Sequence, residues 1–505
     1  MHRREFLRCA AVAGTPIVLG GCAVTAPIAP AEPSAADALL EDFELSSRDV
    51  SRLLQTLGSR GADFGEVYLQ RRRERRVRAL DGEILSVQNG HVQGAGLRVV
   101  RGDDVGFAVS EGLDARSLAT AAEASATTLV AAEPMATSPL IVGAVADRYP
   151  VQRDWQRVSV ARRRTIVERL DALLRQQDVA IASAEINFND VDEEILIVRL
   201  DGRVVADRRP MTRLSVRLSI TDEGVTHVGF ASLSGRRGDA WYTDDQLQTA
   251  AEDVVRRTRQ LFDARMPPGG ELPVILAAGG GGVVVHEIIG HALEADLATS
   301  GSSPFRLALG ESVANTEVTV IDNPSLPGER GSLNVDDEGE AAEPRTLIDA
   351  GTLTSYVHDR YSARAGDQSV PGSGRRESFR HAPLPRMSNT YMDNGRREPG
   401  ELLEAMGRGV IAESITGGAV DRLTGRFRFR VKSGWFVDGG RKRVPVRDFE
   451  ISGAGPEFLG NVSMVANDWR MDPAGWTCGK KGQTVPVSQG TPSILVNGLD
   501  IRPLS

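Results

Sequence analysis

Two of the chain's seven histidines stand five residues apart, in the segment His286-Glu287-Ile288-Ile289-Gly290-His291. Neutral imidazole is a good zinc ligand, and a carboxylate beside a ligand can take a proton from the water that the ion acidifies. That is the logic of the zinc-protease motif HExxH. The spacing here departs from it. On a helix of 3.6 residues per turn, side chains four apart lie about 40° apart around the axis, and side chains five apart about 140°. Two imidazoles so splayed do not easily share an ion. A π-bulge, which adds one residue to a turn, restores a common face, and Gly290 tolerates such a distortion. The motif therefore predicts a helix defect at its own ligands.

A third ligand has to come from elsewhere, because catalytic zinc typically keeps three protein ligands and one open position. Glu294, Asp296, His358, His381 and Cys478 are the candidates, and spacing does not choose among them. Softness favours Cys478. Its setting, Trp476-Thr477-Cys478-Gly479-Lys480-Lys481-Gly482-Gln483, reads as a tight loop with a cation nearby to stabilise the thiolate. The glycine run Gly279 to Gly282 raises the competing idea of a phosphate cradle, but the Lys and Ser/Thr of a P-loop are missing.

The elements that must position these residues follow from pattern. Glu271 to Leu276 reads as a buried strand, and the glycine run turns the chain into a helix starting near Val283. Upstream, helical spacing covers residues 50–57, 115–131, 157–176 and 244–262. Strands read at Glu66 to Leu69, Ile84 to Val87, Gly94 to Val100 and Gly106 to Val109. A further hairpin turns at Asp201-Gly202 and continues into Leu214 to Ile220 and His227 to Ala231. At 505 residues the chain is long enough for two or three domains. The expected fold class is α+β: an N-terminal α+β domain over 46–150, a central helix-sheet-helix domain over 151–265, and a mainly β C-terminal domain over 266–505 that carries the metal-binding helix.

A net charge of -8 and a pI near 5.6 argue against nucleic-acid binding, which needs concentrated Lys and Arg. The run Arg71-Arg72-Arg73-Glu74-Arg75-Arg76 reads as the solvated side of a strand or helix. Residues 1–22 read as a targeting segment: Arg3-Arg4-Glu5-Phe6-Leu7-Arg8 resembles a twin-arginine export signal, Ala10 to Leu19 is apolar, and Leu19-Gly20-Gly21-Cys22 resembles a lipobox. An Ala/Pro-rich tether is expected over 23–45. The expected location is the periplasmic side of the envelope, with a possible lipid anchor at Cys22; the alternative is cytoplasmic. Cys9 leaves with the signal, so Cys478 remains as the free thiol and a disulfide framework is excluded.

The chain resembles the TldD/PmbA family of metallopeptidases, also known as modulators of DNA gyrase. The resemblance rests on His286 to Asp296, Asp336-Asp337-Glu338-Gly339, Gly372 to Ser378, Pro385 to Tyr391 and Cys478 to Gln483. It implies one Zn2+ per chain held by His286, His291 and Cys478, with Glu287 as general base, as in TldD-like active subunits. It also implies unfolded or short peptides as substrate, and a homodimer or a heterodimer with a PmbA-like subunit. Glu294 is expected to orient a ligand, and Arg375, Arg376 and Arg386 either to steady an oxyanion or substrate carboxylate or to form salt bridges that shape a loop. The rival is a non-catalytic zinc-containing peptide-binding subunit or regulator.

Overall fold

The computed structural model describes residues 35–366 and 372–504; the export signal, the lipid-anchor candidate Cys22 and the tether's first part lie outside them. The strands foreseen as short pieces are long. Phe64–Leu80 and Glu83–Arg101 form one hairpin, closed by Asp81-Gly82 with φ of 53° and 83°. Two consecutive positive φ values are what a tight hairpin of this twist demands, and Asp-Gly supplies them cheaply. Ile181–Arg199, Arg203–Asp222 and Val225–Gly235 continue the same sheet.

The pairing that joins it is non-local. Phe64–Leu80 runs antiparallel to Ile181–Arg199, with Tyr68 opposite Ile197 and Val77 opposite Phe188. The two units expected to part near residue 150 therefore share one sheet. What separates them is the helical layer on one of its faces. Ser47–Gly58 and Ala115–Ala126 pack over Val67, Leu69, Leu97 and Val198, whereas Val160–Gln177 and Asp244–Asp263 pack over Val77, Ile186, Phe188 and Val216. The tether also ends sooner than residue 45. Ala35–Glu41 is helical, and Leu40, Phe43 and Leu45 are buried in the first of these cores, because apolar residues at that spacing gain more from burial than from solvent.

The arginine run lies in the strand Phe64–Leu80, with Arg71 to Arg75 half-buried and Arg76 exposed. Arg73 donates to Gln156 and Arg75 to the Trp155 carbonyl.

The sheet's other face meets the C-terminal domain, which is mainly β as expected. There Gly270–Leu276, Arg408–Val420, Arg426–Asp438, Arg441–Ala454 and Ile494–Pro503 close on themselves, since the last strand pairs with both the first and the fourth. A second sheet carries the hairpin Trp476–Lys480 and Gln483–Thr491. Between the two lies the largest apolar core, into which the His286–His291 turn is set.

Candidate metal centre

The chain leaves Gly270–Leu276, crosses the glycine run and enters the short helix Gly282–Val285. A Cβ at Gly282 would stand 2.6 Å from the Gly490 nitrogen, so this glycine allows one backbone to touch another rather than cradling a phosphate. The helix then widens. His286–Gly290 is a π turn, and the His291 amide donates to the His286 carbonyl, five residues back. The helix defect that the motif demands is present, and it turns both imidazoles to one side. Val283, Val284, Val285, Ile288, Ile289 and Leu293 are buried around it and hold the turn in place.

The His286 and His291 rings lie 5.2 Å apart at 80°. Cys478 Sγ is 3.2 Å from His291 Nε2. One ligand atom from each of these three residues falls within 4.8 Å of the others, the one such group among the described residues. Cys478 lies in the strand Trp476–Lys480 just before the turn, not in a loop. Both ring nitrogens of His286 are buried without a hydrogen-bond partner. Buried polar atoms are nearly always satisfied, so a pair of orphaned imidazole nitrogens beside a thiol and a second imidazole fits a cation with affinity for nitrogen and sulfur.

The electrostatics agree with that fit. Burial pushes the Cys478 thiol up, but His286 and His291 outweigh burial and hold it well below the usual thiol range. Burial lowers His291, yet Glu294 and Cys478 raise it to about 10. Glu294 Oε2 is 2.8 Å from His291 Nδ1, 3.2 Å from Lys480 Nζ, and its other oxygen is 3.8 Å from Arg386 Nε. Burial raises this carboxyl, but His291, Lys480 and Arg386 bring it down to about 2. Glu294 thus shares a hydrogen bond with the His291 ring. The cation read as serving the thiolate, Lys480, serves Glu294 and Asp296 instead.

Glu287 is the acid of the site that meets solvent: its side chain is 38 % exposed, and Oε2 is 3.9 Å from His291 Nε2. The other ligand candidates stay apart. Asp296 pairs with Lys480 and Lys481, His358 with Ser362, and His381 with Ser378. The three arginines are buried and donate to protein oxygens. Arg375 donates to the Met387 and Pro486 carbonyls, Arg376 to Glu66 and the Asp337 carbonyl, and Arg386 to the Cys478 and Gln483 carbonyls. Of these only Arg386 touches the site, gripping the backbone of the residue that brings the thiol.

Profiles of the PmbA/TldA metallopeptidase family match the chain in three parts: domain 1 at residues 65–128, the central domain at 153–262 and the C-terminal domain at 269–502. A Haemophilus influenzae protein named metalloprotease TldD homolog is 31% identical over 472 residues, covering 92% of this chain and 98% of its own length. This chain belongs to the PmbA/TldD metallopeptidase family. A Saccharolobus solfataricus relative named zinc metalloprotease TldD homolog is 32% identical over 302 residues, 60% of this chain and 67% of its own. The fold matches TldE from Thermococcus kodakarensis with a TM-score of 0.71 at 16% identity, covering 90% of this chain and 99% of that one.

Two residues that position this family member's site escaped sequence reasoning. Lys480 stood inside a recognised motif but was assigned to the thiolate. Met387 stood inside another; its sulfur lies where a Cβ on Gly290 would have to go, 1.9 Å away. Gly290 has an ordinary helical φ of -55°, so it is required for packing and not for backbone freedom.

Proposed function

We propose that the chain is a zinc metallopeptidase that hydrolyses peptide bonds in unfolded or short peptides. His286, His291 and Cys478 would hold one zinc ion, which when bound supplies an acidified water and a Lewis acid for the scissile carbonyl. Glu287 Oε2 accepts the proton of the attacking water and returns it to the leaving amine. Its partial exposure supports this role, since substrate and water must reach it. Glu294 fixes the tautomer and direction of the His291 ring by accepting from Nδ1, and Lys480 and Arg386 hold Glu294 ionised. The single observation that carries the reading is the buried N, N, S donor set with unsatisfied His286 nitrogens and one solvent-facing carboxylate beside it.

The test measures zinc per chain, then cleavage of an unstructured peptide by wild type and Glu287→Ala. One zinc per chain, with cleavage lost in the variant, is expected; equal rates sink the mechanism. Full zinc with no cleavage by the wild type would favour a peptide-binding subunit. The likeness to TldE supports a working assembly with a PmbA-like subunit or a second copy, which sedimentation of the chain with and without such a subunit would test. Residues 1–22 support action on the periplasmic side, with Cys22 as the anchoring point. Cell fractionation of wild type against Arg3→Lys/Arg4→Lys checks this; an unchanged distribution would return the protein to the cytoplasm.

A further inference from the structure

Between the N-terminal sheet and the Cys478 hairpin lie four arginines that form no ion pair with a carboxylate of the described residues. Arg236 is 3 % exposed, its Nε is buried without a hydrogen-bond partner, and its guanidinium forms no ion pair among the described residues; it stands 5.1 Å from the Tyr149 ring centre. Arg375, 2 % exposed, binds two neutral carbonyls and leaves Nε without a partner. Half-buried Arg330 donates only to neutral oxygens: the Trp476 carbonyl at 3.0 Å, and Ser234 Oγ and Thr477 Oγ1 at 3.1 Å. Half-buried Arg213 donates to Ser232 Oγ and pairs in register with Ser234. The nearby carboxylates are already used. Arg209 takes Asp207 at 2.9 Å and Asp337 at 2.6 Å, and Arg376 takes Glu66.

Arginine does not shed its proton to escape burial, so a buried guanidinium without a counter-charge is costly. Burial and the neighbouring arginines pull Arg330 down to about 9, and burial with Arg236, Arg386 and Arg209 outweighs the attraction of Asp337 and brings Arg375 to about 9 as well. The four also lie together. Arg330 and Arg375 grip opposite members of the Thr477–Pro486 register pair, Arg330 donates to Ser234, the register partner of Arg213, and the charges of Arg213, Arg236 and Arg375 all bear on Arg330. We propose that Arg213, Arg236, Arg330 and Arg375 form a binding site for an oxyanion, whose planar edge suits their forked donors. The ligand is the terminal carboxylate of a peptide or a free phosphate. The site sits on the face of the hairpin away from Cys478, one residue along the strand from it, so an anion there braces the strand that carries the thiol.

Titration calorimetry on the full chain carrying Glu287→Gln, which spares the peptide, tests this without reference to catalysis. The probes are an unstructured peptide with a free C-terminus, its C-terminal amide, and inorganic phosphate. Saturable binding of the acid but not the amide assigns a peptide terminus; phosphate binding as well assigns a free oxyanion. In either case Arg236→Gln weakens binding by about tenfold or more, as loss of a charge-assisted pair requires. Arg213→Gln, at the half-buried rim, gives the same readout if Arg236→Gln does not fold. No saturable binding of acid or phosphate, equal binding of acid and amide without phosphate binding, or affinities unchanged in both variants, overturns the proposal.

Discussion

The π turn at His286–His291 and the loop Asp336–Glu340 are both buried and rich in charge, yet they are finished differently. Asp336 accepts from the Glu338, Glu340 and Gly374 amides, each at 2.9 Å. Asp337 takes Arg209 and the Arg376 amide, and Glu338 takes Arg98 at 2.5 Å and the Arg360 amide. Every one of these carboxylates is closed by a protein partner. At the π turn His286 closes nothing, and Glu287 reaches outward. A buried network whose three acids are all partnered joins the two halves of the molecule; orphaned imidazole nitrogens beside a thiol are where chemistry has room to occur.

The difference can be broken in descending order of effect. His286→Ala is expected to reduce zinc per chain to near zero and peptide cleavage to background. Zinc retained at the wild-type ratio would show that the orphaned nitrogens are not ligand atoms. Asp337→Ala should do the reverse. It removes one of the two carboxylates that Arg209 holds and leaves the Arg376 amide unpaired, so the chain loses about 3–5 kcal/mol in urea unfolding while zinc content per folded chain stays unchanged. A loss below about 1 kcal/mol would mean that the loop is not the clamp it looks like. Glu294→Gln lies between the two regions, being closed by Lys480 yet touching a ligand. The expected result is zinc affinity weakened about 10- to 100-fold with the fold intact, read by competition with a chelator. Unchanged affinity would confine Glu294 to packing.

How much of this was legible in the sequence depends on whether the cause was local. The π turn could be read because two histidines five apart cannot share a face at a 3.6-residue period, and a widened turn reconciles them. The hairpin at Asp201-Gly202 could be read because the turn chemistry is carried by two adjacent residues. The single N-terminal sheet could not. It depends on Tyr68 finding Ile197 across more than a hundred residues of chain, and alternation fixes a strand's faces but not its neighbour. Nor could the arginines be assigned, because a guanidinium offers the same fork to a substrate carboxylate and to a backbone carbonyl. Only the fold shows that Arg386 holds the Cys478 carbonyl.

The smallest change tests how tightly the open region is held by its closed surroundings. A methyl on Gly290 would fall 1.9 Å from Met387 Sδ, and Met387 is fully buried, so neither can move away without disturbing the core. Gly290→Ala is expected to cost about 1–3 kcal/mol through overpacking, against the few tenths gained from alanine's helix preference. Because Gly290 lies between the two histidines, the strain should also displace one imidazole and weaken zinc binding. Adding Met387→Ala removes the obstructing sulfur. If overpacking is the cause, the double variant recovers both stability and zinc affinity relative to Gly290→Ala, despite the cavity it leaves. If the double variant is merely the sum of two losses, Gly290 is needed for the π turn itself, and the turn's shape comes from its own backbone rather than from the core around it.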